Sequence, residues 1–138
     1  MIPVVPAADE HADSSFAGLN IRPGCRVWVG GHNPGAKRLV MGLLAEARRP
    51  PDGPLDLGFV APRNVDEGVY FARKILPRIV ASGAVWIVCP EPVSPRSSEF
   101  SGTHRRLGER LFDIGLVETK AVRHEEQYTF HRFERAAR

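Results

Sequence analysis

Apolar and polar residues follow two periods along the chain, and these periods predict where helices and strands lie. Between residues 36 and 47, apolar side chains recur every three or four positions, which is the spacing of one helix face. Between residues 84 and 90 they follow one another without interruption, which is typical of a strand covered on both faces. The same patterns predict strands over 26–30, 55–61, 84–90, 116–122 and 127–133, and helices over 36–47, 64–83 and 107–115.

Capping and helix-breaking residues support these boundaries. Glu67 follows Asn64 by three positions, a capping-box spacing that marks the start of a helix. Pro50 and Pro51 end the first helix, and Pro77 predicts a kink or a short break within the second. The boundaries therefore rest on local chemistry as well as on periodicity.

The order of the elements predicts the architecture. Strands that alternate with helices indicate an α/β fold, with a mainly parallel sheet of about five strands and helices on both faces. The last two strands are joined by a short charged turn and predict a C-terminal antiparallel hairpin. Residues 1–18 have no clear period and are interpreted as a flexible N-terminal arm, which leaves residues 19–138 as a single domain.

Composition narrows the classes of function. The chain has 138 residues and a net charge of +3, and its basic residues form separate clusters that disfavour a nucleic-acid partner. No apolar run reaches membrane-spanning length and no signal-peptide pattern is present, so a cytoplasmic protein without a membrane partner is expected. Neither the two cysteines nor the histidines have metal-ligand spacing, so no metal is expected.

Three predicted loops meet at the carboxyl ends of the strands, where open α/β sheets bind ligands. They cover residues 30–35, 62–64 and 91–98. The first is rich in glycine and connects a strand to a helix, an arrangement that lets backbone N–H groups bind an anion or a nucleotide. Gly31, Asn33 and Gly35 are therefore candidate cofactor-binding residues. A tight turn without any ligand is the alternative, and the sequence leaves both interpretations open.

Side chains in these loops predict a small polar or anionic ligand. Arg63 and Arg96 have the chemistry to bind a carboxylate or phosphate bidentately, with Asn64 and Ser97 beside them in the sequence. Ordinary exposed loop residues are the alternative interpretation.

Two further residues are candidates for catalysis. His32 is a candidate general base, because histidine exchanges protons near neutral pH. Glu91 directly follows the predicted central strand and is a candidate catalytic carboxylate. A turn histidine bonded to the backbone and a loop-capping glutamate are the corresponding structural alternatives.

Several motifs, taken in order, resemble the fold of methyltransferases that use S-adenosylmethionine (SAM). A Pro-Gly turn at residues 23–24 precedes the first strand, and Gly31-His32-Asn33-Pro34-Gly35 is similar to the glycine loop of that family. Residues 54–60 resemble its fourth strand, residues 75–88 its next helix and fifth strand, and residues 115–118 the start of its sixth strand. The resemblance covers most of residues 19–133 and implies a three-layer, Rossmann-like sheet.

The departures from that pattern concern the cofactor. Val29 stands where the family usually has an acidic residue, and Asn33 replaces the middle glycine of the loop. The chain also passes through residues 50–54 directly into the fourth-strand equivalent, so the unit whose strand carries the ribose-binding acid is missing. The resemblance thus implies a trimmed domain in which SAM is possible but disfavoured. The trimmed pattern is similar to a bacterial family catalogued as domain of unknown function 3052.

Two hypotheses of function follow from this resemblance. The leading one is a methyltransferase-like domain that has lost SAM-dependent activity and acts as a small-ligand-binding, accessory or regulatory protein, with a homodimer as one option. The competing one is a small enzyme that uses the same cleft, either a minimal SAM-dependent methyltransferase or a repurposed catalyst acting on a small metabolite. A nucleic-acid-associated protein is a third, weaker hypothesis, motivated by the positive charge.

Overall fold

A computed structural model of the chain describes residue 19 and residues 21–90, 103–124 and 127–137. The elements follow the predicted order: β1 (Val27–Gly30), α1 (Pro34–Leu43), β2 (Leu55–Val60), α2 (Val65–Ile75), β3 (Ile79–Pro90), α3 (Thr103–Asp113), β4 (Leu116–His124) and β5 (Tyr128–Arg135). The proposed N-terminal arm lies outside the described residues, so the prediction of an arm stays a prediction.

The strands form one mixed sheet in the order β1-β2-β3-β5-β4. β1, β2 and β3 are parallel, whereas β5 is antiparallel to both β3 and β4. The predicted α/β class and the C-terminal antiparallel hairpin are therefore confirmed. β3 lies at the centre, and its residues 84–89 are buried, as their uninterrupted apolar run predicts.

Helices cover both faces of the sheet. On one face, α1 packs through Ala36 and Val40 against a core that includes Trp86 and Phe130. On the other face, residues of α2 and α3, among them Val69 and Leu111, pack against neighbouring strand positions. Successive residues of a strand point to opposite faces, so β3 supplies side chains to both cores. Among the described residues, no helix has the length and apolar character needed to cross a membrane.

The first helix ends earlier than predicted. α1 stops at Leu43, and residues 44–47 form a turn that brings Arg48 back to the start of β1. The Arg48 N–H donates to the Cys25 carbonyl and the Val27 N–H donates to the Arg48 carbonyl, both over 2.7 Å. Pairing with a strand distant in sequence has overridden the local helical pattern.

The second helix was also predicted too long. The break at Pro77 is present, within a 3-10 turn over Leu76–Arg78, but the helix does not resume after it. Residues 79–83 instead belong to β3, and Ile79 is buried and pairs with Leu55. Proline cannot donate the backbone hydrogen bond that a continuing helix needs, and sheet pairing then decides the conformation of the next residues.

Candidate functional site

The turns that follow β1 and β2 lie against each other at the carboxyl ends of the parallel strands. The Ala61 N–H donates to the Gly30 carbonyl over 2.8 Å, and the Asn33 N–H donates to the Ala61 carbonyl over 3.0 Å. Gly31 has a φ of +113°, and a Cβ at this position would lie 2.2 Å from the Ala61 carbonyl oxygen. Gly31 is therefore needed for the close approach of the two turns.

A single carboxylate, that of Glu67 in the first turn of α2, joins these turns. Its Oε1 accepts the backbone N–H groups of His32 and Arg63, each over 2.9 Å. Its Oε2 lies 2.7 Å from His32 Nδ1 and 3.1 Å from both Nε and Nη2 of Arg63. Backbone N–H groups, an imidazole and a guanidinium therefore surround the Glu67 carboxylate, and donors of these kinds also bind small anions in proteins.

The environment of Glu67 keeps it charged. Its side chain is only 9% exposed, and burial acts to raise its pKa. Hydrogen bonds from the His32 ring and from the backbone and side chain of Arg63 outweigh burial and lower the pKa of Glu67 to about 2. The carboxylate is therefore an ionised hydrogen-bond acceptor near neutral pH.

His32 and Arg63 are anchored on one side and open on the other. Their side chains are 61% and 63% exposed, although both contact the buried carboxylate. The His32 ring also lies 5.7 Å from the Phe71 ring, which in turn lies 5.7 Å from the Trp28 ring. Glu67 thus holds the His32 ring and the Arg63 guanidinium in place, and the His32 ring lies beside a small aromatic cluster.

The two asparagines of the predicted site cap helices. Asn33 Oδ1 accepts the Ala36 N–H over 3.1 Å at the start of α1, and Asn64 Oδ1 accepts the Glu67 N–H over 2.9 Å at the start of α2. Each bond satisfies a donor that a helix N-terminus otherwise leaves free. Asn33 stands where the methyltransferase glycine loop has its middle glycine, and in this structure it caps α1.

Gly35 makes room for a residue from the far end of the chain. A Cβ on Gly35 would lie 2.6 Å from the hydroxyl of Tyr128, which pairs with Pro90 at the end of β3. Tyr128 thus reaches Gly35 in the first turn of α1, a residue that was a candidate for cofactor binding. The sequence contained no signal for this contact, because it depends on how the hairpin joins the sheet.

The structure brings together part of the predicted site. His32, Arg63 and Asn64 come from two loops and meet at Glu67, and Gly31 lies against Ala61. Glu91, Arg96 and Ser97 lie outside the described residues, so their roles stay predictions. Sequence reasoning recognised Glu67 only as a helix-capping residue. Its bonds to His32, 35 positions away, belong to the tertiary structure.

A cavity of about 590 Å³ lies away from this site, at the amino ends of the strands. Its charged lining is largely paired: Arg26 donates to both oxygens of Asp56, and Arg132 donates to Glu134. Burial raises the pKa of the Cys25 thiol, which also lines it, so a reactive thiolate is disfavoured. Within the described ranges, no group of three or more histidine, cysteine or acidic side chains is placed to hold a metal.

Two solved methyltransferases and the SAM-bound protein LepI share this fold. The mitomycin 7-O-methyltransferase MmcR matches with a TM-score of 0.57 at 10% identity, over 94% of this chain and 55% of its own. A methyltransferase from Pyrococcus furiosus matches with a TM-score of 0.57 at 11% identity, over 99% of this chain and 89% of its own. LepI, solved in complex with SAM, matches with a TM-score of 0.52 at 11% identity, over 94% of this chain and 40% of its own.

These matches show a Rossmann-like α/β fold of the methyltransferase type. The chain spans about half the length of the mitomycin enzyme. No family model matches the chain, and no curated protein matches it. Membership of the short bacterial family therefore stays a prediction, and function must be argued from the site.

The described residues lack two features that the resemblance associates with SAM. Val29 still stands at the end of β1 where an acidic residue is usual. On the side of β1 away from β2, the described residues before Pro50 form only the bridge between Arg26 and Arg48. The described part of the chain therefore has no strand beside β1 that ends in a ribose-binding acid.

Proposed function

We propose that this methyltransferase-like domain binds a small anionic molecule at Arg63, beside His32, and does not use SAM as a methyl donor. The observation that carries the proposal is the buried Glu67 carboxylate, which bonds the backbone and side chain of both residues. The proposal assigns the domain to the binding of a small ligand.

The arrangement favours an anion because it presents oriented donors. Within the Arg63 guanidinium, Nε and Nη2 lie 3.1 Å from Glu67 Oε2, and the group has further N–H donors on Nη1. The Nδ1 edge of the His32 ring lies against the same carboxylate, and the side chain is otherwise largely exposed. Because Glu67 fixes both side chains before a ligand arrives, binding costs less conformational entropy than it would with mobile side chains.

The same contacts argue against SAM. Glu67 already accepts the turn N–H groups of His32 and Arg63, and Asn33 already caps α1. The acidic residue on β1 and the strand beside it are both missing from the described chain.

The competing hypothesis, a minimal SAM-dependent methyltransferase, is supported by the fold and by the neighbour solved with SAM.

Calorimetric titration separates these hypotheses. With succinate as the anionic probe, we expect saturable binding that Arg63→Gln weakens by at least about tenfold, the typical value of a charged hydrogen bond. Arg73→Gln is the matched control, since it removes the same charge from an exposed position on α2. With SAM we expect no saturable heat. Saturable SAM binding in the absence of succinate binding would overturn the proposal.

A further inference from the structure

We propose that the protein hydrolyses a small carboxylic ester that also carries a negatively charged group, and that His32 is the general base of this reaction. The inference rests on the proposed function, because Arg63 would bind the negative group of the same molecule. In this scheme Glu67 is a positioning residue, and His32 is the residue that contacts the reacting atoms.

The surroundings of two histidine–glutamate pairs, those of His32 and His131, differ. His32 Nδ1 lies 2.7 Å from Glu67 Oε2, and His131 Nδ1 lies 2.8 Å from Glu118 Oε2. The side chain of His131 is 8% exposed, whereas that of His32 is 61% exposed. Only the His32 pair therefore combines an oriented ring with access for a substrate.

The carboxylate determines which nitrogen of His32 carries the proton. Glu67 is ionised and can only accept a hydrogen bond, so the neutral ring must place its proton on Nδ1. Nε2 then carries the lone pair of a base. The backbone N–H of His32 is bonded to the same carboxylate, and Phe71 lies beside the ring, so both the main chain and the ring are held in place.

The reaction needs only water and the side chains of this site. His32 Nε2 takes a proton from water as the water oxygen forms a bond to the ester carbonyl carbon. The bond from this carbon to the leaving oxygen then breaks, and the imidazolium returns the proton to that oxygen. The products are a carboxylic acid and an alcohol. Glu67 stabilises the imidazolium in between, as an orienting carboxylate does for a catalytic histidine.

Nitrogen NMR of the histidine rings tests the structural half of the inference. In the wild-type protein at mildly alkaline pH, we expect His32 to be protonated at Nδ1 and to carry the lone pair at Nε2. Glu67→Gln should change this, because the amide NH2 is able to donate to Nδ1. Glu118→Gln is the matched control and should leave the His32 signals unchanged. Protonation of His32 at Nε2 in the wild-type protein would overturn the inference.

Hydrolysis of two esters tests the chemical half. The probes are 4-nitrophenyl 4-carboxybenzoate, whose free carboxylate cannot reach its own ester carbonyl, and neutral 4-nitrophenyl benzoate. We expect faster cleavage of the anionic ester, and a loss of about a hundredfold in kcat/KM in His32→Ala, the usual contribution of a general base. Imidazole added to His32→Ala should restore part of the rate. Arg63→Gln should raise KM for the anionic ester alone, and Glu118→Gln should change neither rate.

Failure of this inference is distinguishable from failure of the proposed function. If succinate binds but His32→Ala cleaves the anionic ester as fast as the wild-type protein does, general-base catalysis is excluded and anion binding stands. If succinate does not bind and the two esters are cleaved at equal rates, the anion site itself is wrong. Ring protonation is read without any ligand, so it stays informative if Glu67→Gln or His32→Ala does not fold.

Discussion

Glu67 decides more about this site than any residue of the glycine loop. It occupies the first turn of α2, where a negative charge interacts favourably with the helix dipole. From there it bonds the main chain of two turns and orients the side chains of His32 and Arg63. One buried carboxylate is therefore both a structural clamp and the element that positions the candidate ligand-binding groups.

Glu67→Gln should make the dependence of stability on pH visible. The pKa of Glu67 falls from an ordinary 4.5 to about 2 on folding, so its stabilisation is fully present above about pH 4.5 and is lost as pH falls toward 2. This shift corresponds to roughly 3 kcal/mol. Urea unfolding at a series of pH values should therefore show wild-type protein and Glu67→Gln differing near neutral pH and converging in acid. A difference that does not change with pH would contradict this origin of the low pKa.

At the scale of elements, the turn after β1 is shaped by its neighbours inside the protein. Gly31 lies against Ala61, Gly35 lies against Tyr128, and Asn33 caps the helix that follows. In the sequence, Gly31 and Gly35 match the glycine loop of the methyltransferase family, and Asn33 replaces its middle glycine. In the structure each has a packing partner, so a glycine-rich turn here does not by itself identify a ligand.

Two glycine substitutions should have opposite effects on stability. Gly31→Ala places a Cβ against the Ala61 carbonyl at a positive φ and should lower the free energy of unfolding by roughly 2 kcal/mol or more. Gly42→Ala lies in α1 with no atom within 4 Å of the added carbon, and it should raise the free energy of unfolding by about 0.5 kcal/mol. Denaturant unfolding of both variants measures this, and an equally stable Gly31→Ala would contradict the required close approach.

At the scale of the whole molecule, the central strand joins the two cores. β3 contributes Trp86 to the α1 face and Val85 and Ile87 to the face covered by α2 and α3. A fold with a shared central strand should unfold as one cooperative unit, because neither core keeps its strand once the other is lost.

Substitutions on opposite faces should test this cooperativity. Leu111→Ala and Val40→Ala, each at a buried position, should lower the free energy of unfolding by about 3 and about 2 kcal/mol respectively. In both variants, circular dichroism and tryptophan fluorescence should report the same midpoint. Phe112→Ala is the control: its side chain is 62% exposed, and the change should stay within about 0.5 kcal/mol. Separate transitions for the two faces would show independent cores.

Local sequence determined the elements and much of their order. The apolar run of β3, the cap at Asn64 and the break at Pro77 each act through neighbours in the chain, so each could be predicted from the sequence. The same logic placed the candidate loops at the carboxyl ends of the strands. The local pattern was wrong at residues 44–47 and 79–83, where pairing with a strand elsewhere in the chain overrode the local preference.

The tertiary structure alone decided what those loops contain. The contact between His32 and Glu67 spans 35 positions, and the approach of Tyr128 to Gly35 joins the start of β5 to the start of α1. Such contacts depend on sheet register and helix placement, which no short pattern of residues encodes. The sequence by itself therefore determined an α/β sheet with a glycine-rich turn at its ligand-binding edge. The tertiary structure determined that the Glu67 carboxylate lies against that turn, because only the folded chain brings the donors of His32 and Arg63 to it.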